Sequence, residues 1–291
     1  MTASNPLPPV AAPRGAVEKT FVKVRVLAGF TDVNHFQILA GEYLATLDPA
    51  AQTAKLNAAD AARTFVAQLP PLAPTNVIVR PIIHAHIDAI RNDPLFTNTF
   101  GQRPYQFAYV NPAGLVALQS WIEPRADALP TTEQELLDFA LPTKWDVAAE
   151  VSFTPPTGPI GILSSNPAMQ GFAMELDQGA GTVKISPPKH LNLVQVVQFN
   201  NRFFLKNGYH RIADALAAGV QEFPAIVITA LRPEDAALPG SSPFNLGYVL
   251  GLQRPPLVSD FHTAAAVEVK VRERRYGVFV NLDVKQINIG V

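Results

Sequence analysis

Two kinds of apolar spacing alternate along this chain, and their order predicts a mixed sheet combined with helices. Thr20-Phe-Val-Lys-Val-Arg-Val-Leu27 switches between apolar and basic positions with period two, the mark of a strand that buries one face. Ala-rich runs bounded by Asp and Pro predict helices over 35–46 and 57–68. Val77-Ile-Val-Arg-Pro-Ile-Ile83 and Tyr105-Gln-Phe-Ala-Tyr-Val110 predict strands. Ala85 to Ile90 predicts part of a short helix, and Asn111-Pro112 the opening of a helix over 113–121. From Asp138 to Thr157 the pattern is mixed, with Trp145 and Phe153 as core candidates, and Ser164-Ser-Asn-Pro167 reads as a loop.

The later half is more strongly patterned. Leu193-Val-Gln-Val-Val-Gln-Phe199 predicts a strand, and Asn200-Asn201 can take the positive φ angles of a two-residue hairpin turn into a second strand, Phe203 to Lys206. Ile212, Ala213, Leu216 and Val220 then fall at spacings of three and four, which predicts a helix with one narrow apolar face that stops near Gly219. Phe223-Pro-Ala-Ile-Val-Ile-Thr229 returns as a buried strand. Ala266-Val-Glu-Val-Lys-Val-Arg272 and Tyr276 to Val284 both alternate, with Arg274-Arg275 between them. They predict a C-terminal hairpin whose edge can pair with another chain.

The densest chemistry lies in Arg202-Phe-Phe-Leu-Lys-Asn-Gly-Tyr-His-Arg211, a strand that turns through Asn207-Gly208 into a helix with two basic side chains in its first turn. Gly208 has no Cβ to keep a ligand from the backbone, and the first amides of a helix lack partners within it. A phosphate there would meet the amides, the positive end of the helix, and the cations His210 and Arg211. Asp214, four residues after His210, is placed to orient the imidazole. The same residues also read as an ordinary Asn-Gly turn before a solvated helix end. In that reading the two cations oppose the helix dipole by a few tenths of a kcal/mol.

Lys206-Asn-Gly-Tyr-His-Arg-Ile-Ala-Asp-Ala-Leu-Ala-Ala-Gly219, followed by Phe223-Pro-Ala-Ile-Val-Ile228, resembles the phosphate-binding box of the ParB/sulfiredoxin superfamily. The resemblance covers about Val194 to Thr229. It implies that Gly208, His210 and Arg211 cradle nucleotide phosphates, with Asn207 where many members carry Asp. Relatives that phosphorylate free serine use an acidic base near the box, a part open here to Glu222 or Asp214. The departures are also informative. Sulfiredoxins attack through a cysteine, and this chain has none, so that activity is excluded. Partition proteins continue into a helix-turn-helix, whereas residues 231–291 look largely extended.

Composition narrows the classes further. With 291 residues, 48% of them hydrophobic, the chain can build a sizeable core. Its 23 Lys+Arg against 24 Asp+Glu argue against a broad nucleic-acid or anionic-membrane surface. No apolar run approaches the roughly 20 residues of a membrane helix, and the absence of cysteine fits a reducing, cytoplasmic compartment. Read as a strand, His84-Ala-His86-Ile-Asp88 would place two imidazoles on one face, but no third ligand is marked and no metal site is assigned. Ser164-Ser165 lacks the strand-nucleophile-helix setting of a hydrolase elbow.

These patterns predict an α+β protein with a mixed sheet, in three parts. Residues 1–15 form a disordered leader, 16–160 an N-terminal α/β portion without an assigned role, and 161–291 the ParB/sulfiredoxin-like unit with the terminal hairpin. The leading expectation is a nucleotide- or phosphate-binding protein serving NTP hydrolysis or phosphoryl transfer, with ATP or CTP as ligand and Mg²⁺ if it hydrolyses. Its site would use Asn207, Gly208, His210 and Arg211 on phosphate, with Asp214 and Glu222 as catalytic candidates. Arg211→Ala is then expected to weaken ligand binding and leave stability nearly unchanged. The alternative is a non-enzymatic interaction or assembly protein that keeps the fold, with a protein partner or a second copy on its C-terminal strands.

Overall fold

The computed structural model describes residues 21–72, 76–124, 129–143, 150–153, 160–164, 173–177, 182–186, 191–235, 243–244, 249–251, 254–273 and 276–280. The expected leader, Trp145 and the loop after Ser164 lie outside these residues, as does the side chain of Phe153.

Strand β1 (Phe21–Val26) follows its alternation, with Val24 and Val26 fully buried and Lys23 exposed. Helices α1 (Val33–Leu44) and α2 (Pro49–Ala67) each start behind an aspartate. The Asp32 carboxylate accepts the His35 amide and that of Asp48 accepts the Ala51 amide. Asp48-Pro49 is a helix start in its own right, so α2 begins well before the predicted residue 57. Strand β2 (Ile78–Pro81), helix α3 (Ala85–Arg91), helix α4 (Pro94–Phe100) and strand β3 (Tyr105–Val110) follow. Helix α4, missing from the sequence reading, has the same Asp-Pro start, Asp93 accepting the Leu95 amide.

The helix predicted over 113–121 does not form. Asn111 and Pro112 open only a single 3-10 turn, Pro112–Gly114. Leu115 to Leu118 are all buried, so the run has no polar face for a surface helix. It passes through the core as β4 (Val116–Ala117), and β5 (Trp121–Ile122) follows. Short apolar runs do not separate buried strand from buried helix by spacing alone. Helix α5 (Glu133–Ala140) begins with a capping box in which the Thr132 hydroxyl accepts the Glu135 amide and the Glu135 carboxylate accepts the Thr132 amide.

The remaining elements are β6 (Glu150–Phe153), β7 (Ile160–Ser164), β8 (Ala173–Asp177), β9 (Thr182–Ser186), β10 (Gln195–Phe199), β11 (Arg202–Asn207), α6 (Tyr209–Ala217), β12 (Phe223–Thr229), β13 (Val267–Arg272) and β14 (Tyr276–Val280). The fold is α+β. Its main sheet has the order β2-β3-β12-β10-β11-β4 and is mixed: β12 runs parallel to β10 and β4 to β11, while the other pairs are antiparallel. A second sheet, β13-β1-β5, is covered by α1 and α2. Val24, Val26, Val267 and Val269 pack there against Phe36, Ala40, Ala59 and Ala62.

Two expectations are corrected by this topology. The C-terminal hairpin is absent: β13 pairs with β1 along its whole length and β14 with β7, in separate sheets. The boundary near 160 does not divide the fold, because β3 is hydrogen-bonded to β12 and β1 to β13 across it. Alternation marked these strands correctly, but carries no information about which strand lies beside which.

Residues 254–262 lock the end of β4 in place. Ala117 donates its amide to the Pro256 carbonyl and Val258 donates to Leu115. Asp260, 1% exposed, holds this segment with two carboxylate contacts to Arg254 at 2.8 and 2.9 Å and one to the Leu257 amide at 2.8 Å. Removing one member of a buried pair leaves the other charge uncompensated. Asp260→Asn should therefore lower unfolding stability by about 3 kcal/mol in urea denaturation, and a change below about 0.5 kcal/mol would show that the pair does not hold the segment.

Candidate functional site

The strands, turn and helix expected over 194–229 form where the sequence places them. Asn200 and Asn201 take positive φ angles of 52° and 59° and turn β10 back into β11, as the hairpin signal requires. Helix α6 buries Tyr209, Ile212, Ala213 and Ala215, with Leu216 and Val220 partly covered. It ends in a Schellman motif, with Gly219 at φ 76°, its amide donating to Leu216 and the Val220 amide to Ala215.

At the other end of α6, the Asn207, His210 and Arg211 side chains predicted for a ligand meet the protein itself. Gly208 adopts φ 98°, and a Cβ there would lie 2.7 Å from Cγ2 of Val194. The glycine lets the turn press against the residue before β10. The Asn207 amide group donates through Nδ2 to the Leu193 carbonyl at 3.0 Å, while its Oδ1 accepts the Gly208 amide at 2.9 Å. Tyr209 is fully enclosed. Its hydroxyl donates to the Leu205 carbonyl and accepts the Leu118 amide, both at 2.6 Å, and burial pushes its pKa up.

His210 and Arg211 reach further along the chain. The His210 Nδ1–H donates to the Glu123 carbonyl at 2.7 Å. Three carbonyls gather around Nη1 of Arg211, those of Phe139 at 2.9 Å, Ala140 at 3.2 Å and Asn192 at 2.8 Å, while Nη2 donates to the Asn192 side chain at 3.0 Å. Phe139 and Ala140 are the last residues of α5, a helix with no basic residue in its own last turn. Arg211 supplies a cation and hydrogen-bond donors where helix carbonyls lack partners. The Val194 amide also donates to Ala140, at 2.8 Å.

Asp214 lies one turn along α6. Nearby His262 has its pKa lowered by burial and then by the charge of Arg25, against a smaller raising by Asp214, while its imidazole Nε2–H donates to the Ala213 carbonyl at 3.0 Å. Glu222 sits elsewhere, at the start of β12, and its carboxylate pairs with Arg80 of the edge strand β2 at 2.8 Å. That guanidinium lies 3.8 Å above the Tyr109 ring. The Tyr109 hydroxyl donates to Glu133 at 2.6 Å, and its pKa is pushed up to about 12 by burial and that carboxylate. Thus Asn207, Gly208, His210, Arg211 and Asp214 lie along one turn and helix but face different partners, and Glu222 belongs to a separate cluster.

The two histidines considered for a metal are not on a strand. His84 caps α3 by accepting the His86 amide on its ring Nδ1, while buried His86 donates from Nε2 to the Leu141 carbonyl at 2.6 Å and faces Asp138 and Gln134 with Nδ1. Among the described residues no group of three His, Asp or Glu side chains is arranged to hold a metal ion. Asn207 offers an amide already engaged with the main chain and no carboxylate for a metal ion.

Lys206 escaped the sequence reading. It stands exposed between buried Leu205 and half-buried Asn207, and its pKa is lowered by desolvation and then by the charge of Arg103. A lysine at a strand end carries no signal of this, because Arg103 comes from the loop after α4. No family model, no curated protein and no solved structure matches this chain. The resemblance to the ParB/sulfiredoxin superfamily therefore rests on the box residues themselves.

Arg211 holds three separate pieces of chain, so its replacement should act on the fold before it acts on any ligand. Arg211→Ala should destabilise the ligand-free protein by about 2–3 kcal/mol, and Arg211→Lys should recover less than half of that, since one ammonium cannot reach all four acceptors. Equilibrium urea unfolding measures both. A loss under about 0.5 kcal/mol for Arg211→Ala would return the arginine to the role expected from sequence.

Proposed function

We propose that this chain is a non-enzymatic binding protein, in which a unit of ParB/sulfiredoxin-like type serves as the structural core and not as a site of NTP chemistry. The observation that carries this reading is Arg211, whose guanidinium bonds the carbonyls of Phe139, Ala140 and Asn192 together with the Asn192 side chain. Asn207 supports it too, because its amide bridges Leu193 and Gly208 and has no ionisable group for metal binding or proton transfer. A cytoplasmic setting accords with a chain lacking cysteine. No helix among the described residues is long and apolar enough to cross a membrane.

A second reading keeps a phosphate at the box. Helix α6 has no side-chain cap on its first amides. An ATP or CTP phosphate would use those amides together with His210. Isothermal titration with ATP, CTP and GTP, with and without Mg²⁺, separates the two readings. The non-enzymatic reading expects no turnover and no saturable binding that depends on His210. Nucleotide binding lost in His210→Ala, or NTP hydrolysis by the parent protein, would overturn it.

A further inference from the structure

A cleft of about 320 Å³ opens between α4, the approach to β10 and the end of β11. That volume lies at the small end of ligand pockets, which run roughly 300–1,000 Å³. Its lining divides into two parts: Arg103, Lys206, Gln195 and Thr99 are polar, and Leu95, Phe100 and Leu191 are apolar. Arg103 and Lys206 are close enough for the arginine to lower the lysine pKa, and neither carries an ion pair among the described residues. Asp235 also feels Arg103, but its carboxylate is bonded to Arg232 by two contacts of 3.2 Å. Among the described residues, the Gln195 side chain makes a long 3.5 Å contact from Nε2 to the Leu191 carbonyl. Two like charges at the mouth of one cleft repel each other until an anion lies between them.

We propose that this cleft binds a small phosphate monoester carrying an apolar group. The guanidinium of Arg103 offers a planar pair of donors and the ammonium of Lys206 a point charge, which together match a doubly charged phosphate. The apolar group of the ester lies on Leu95 and Phe100, and Gln195 supplies an amide for the bridging oxygen. The site uses none of the box side chains His210, Arg211 or Asp214, so it stands whether or not the box is purely structural.

Phenyl phosphate is the probe, titrated calorimetrically into the full chain and into Lys206→Gln and Arg103→Gln. Both positions are exposed, so the variants should keep the parent melting temperature, and either alone suffices if the other unfolds. The expected result is saturable binding by the parent, at least about tenfold weaker in each variant, with inorganic phosphate weaker than phenyl phosphate. No saturation up to about 10 mM, or equal binding by parent and variants, overturns the proposal. Equal affinity for phenyl phosphate and inorganic phosphate overturns its apolar half. NTP hydrolysis by the parent would count against the non-enzymatic reading alone and leave this cleft untouched.

Discussion

Helix α5 ends without a capping residue suited to the task, and the rest of the core is arranged around that end. Its last residue is followed by Leu141, not by a left-handed glycine, and its last turn contains no basic side chain. The exposed carbonyl end is closed from outside by the Arg211 guanidinium, by the Val194 amide and, at Leu141, by His86. Each of these donors comes from a different element, so the helix end joins α3, the start of β10 and the first turn of α6. Gly208 completes the junction by allowing close contact with Val194. A half-buried guanidinium that bonds these carbonyls stabilises such a junction, whereas carbonyls left unpaired there would destabilise it.

This arrangement explains why the motif looks like a ligand site in sequence and acts as a joint in the fold. Glycine, asparagine, histidine and arginine at a helix start suit phosphate because they present donors and leave the backbone open. The same donors suit main-chain carbonyls. Here the carbonyls of Leu193, Glu123, Phe139, Ala140 and Asn192 take those positions. Lys206 and Arg103, which form no ion pair with another described residue, lie beside the box and line the cleft.

Local structure was legible wherever one segment carried its own signal. The alternation of β1, the Asn200-Asn201 turn, the apolar stripe of α6 and its stop at Gly219 all depend on neighbours a few residues away. Two further helix starts, Asp93-Pro94 and the Thr132 to Glu135 capping box, carry signals that are equally local. Pairing was not legible: β13 and β14 alternate as a hairpin would, yet pair with β1 and β7. The partners of Arg211 were out of reach for a deeper reason. Backbone carbonyls at 139, 140 and 192 are common to every residue type, so nothing in the side chains announces them. Glu222 was misplaced likewise, since its partner Arg80 is 142 residues away.

The joint between Arg211 and Asn192 is the part of this account most open to direct measurement. A double-mutant cycle of Arg211→Ala and Asn192→Ala, read by urea unfolding of the ligand-free protein, isolates the coupling between the two side chains. The account predicts a coupling of about 1 kcal/mol or more, as for a hydrogen bond to a charged group within one packed junction. Additivity within about 0.3 kcal/mol, with each single variant near parent stability, would contradict it and show that Arg211 is held in reserve for something other than the fold.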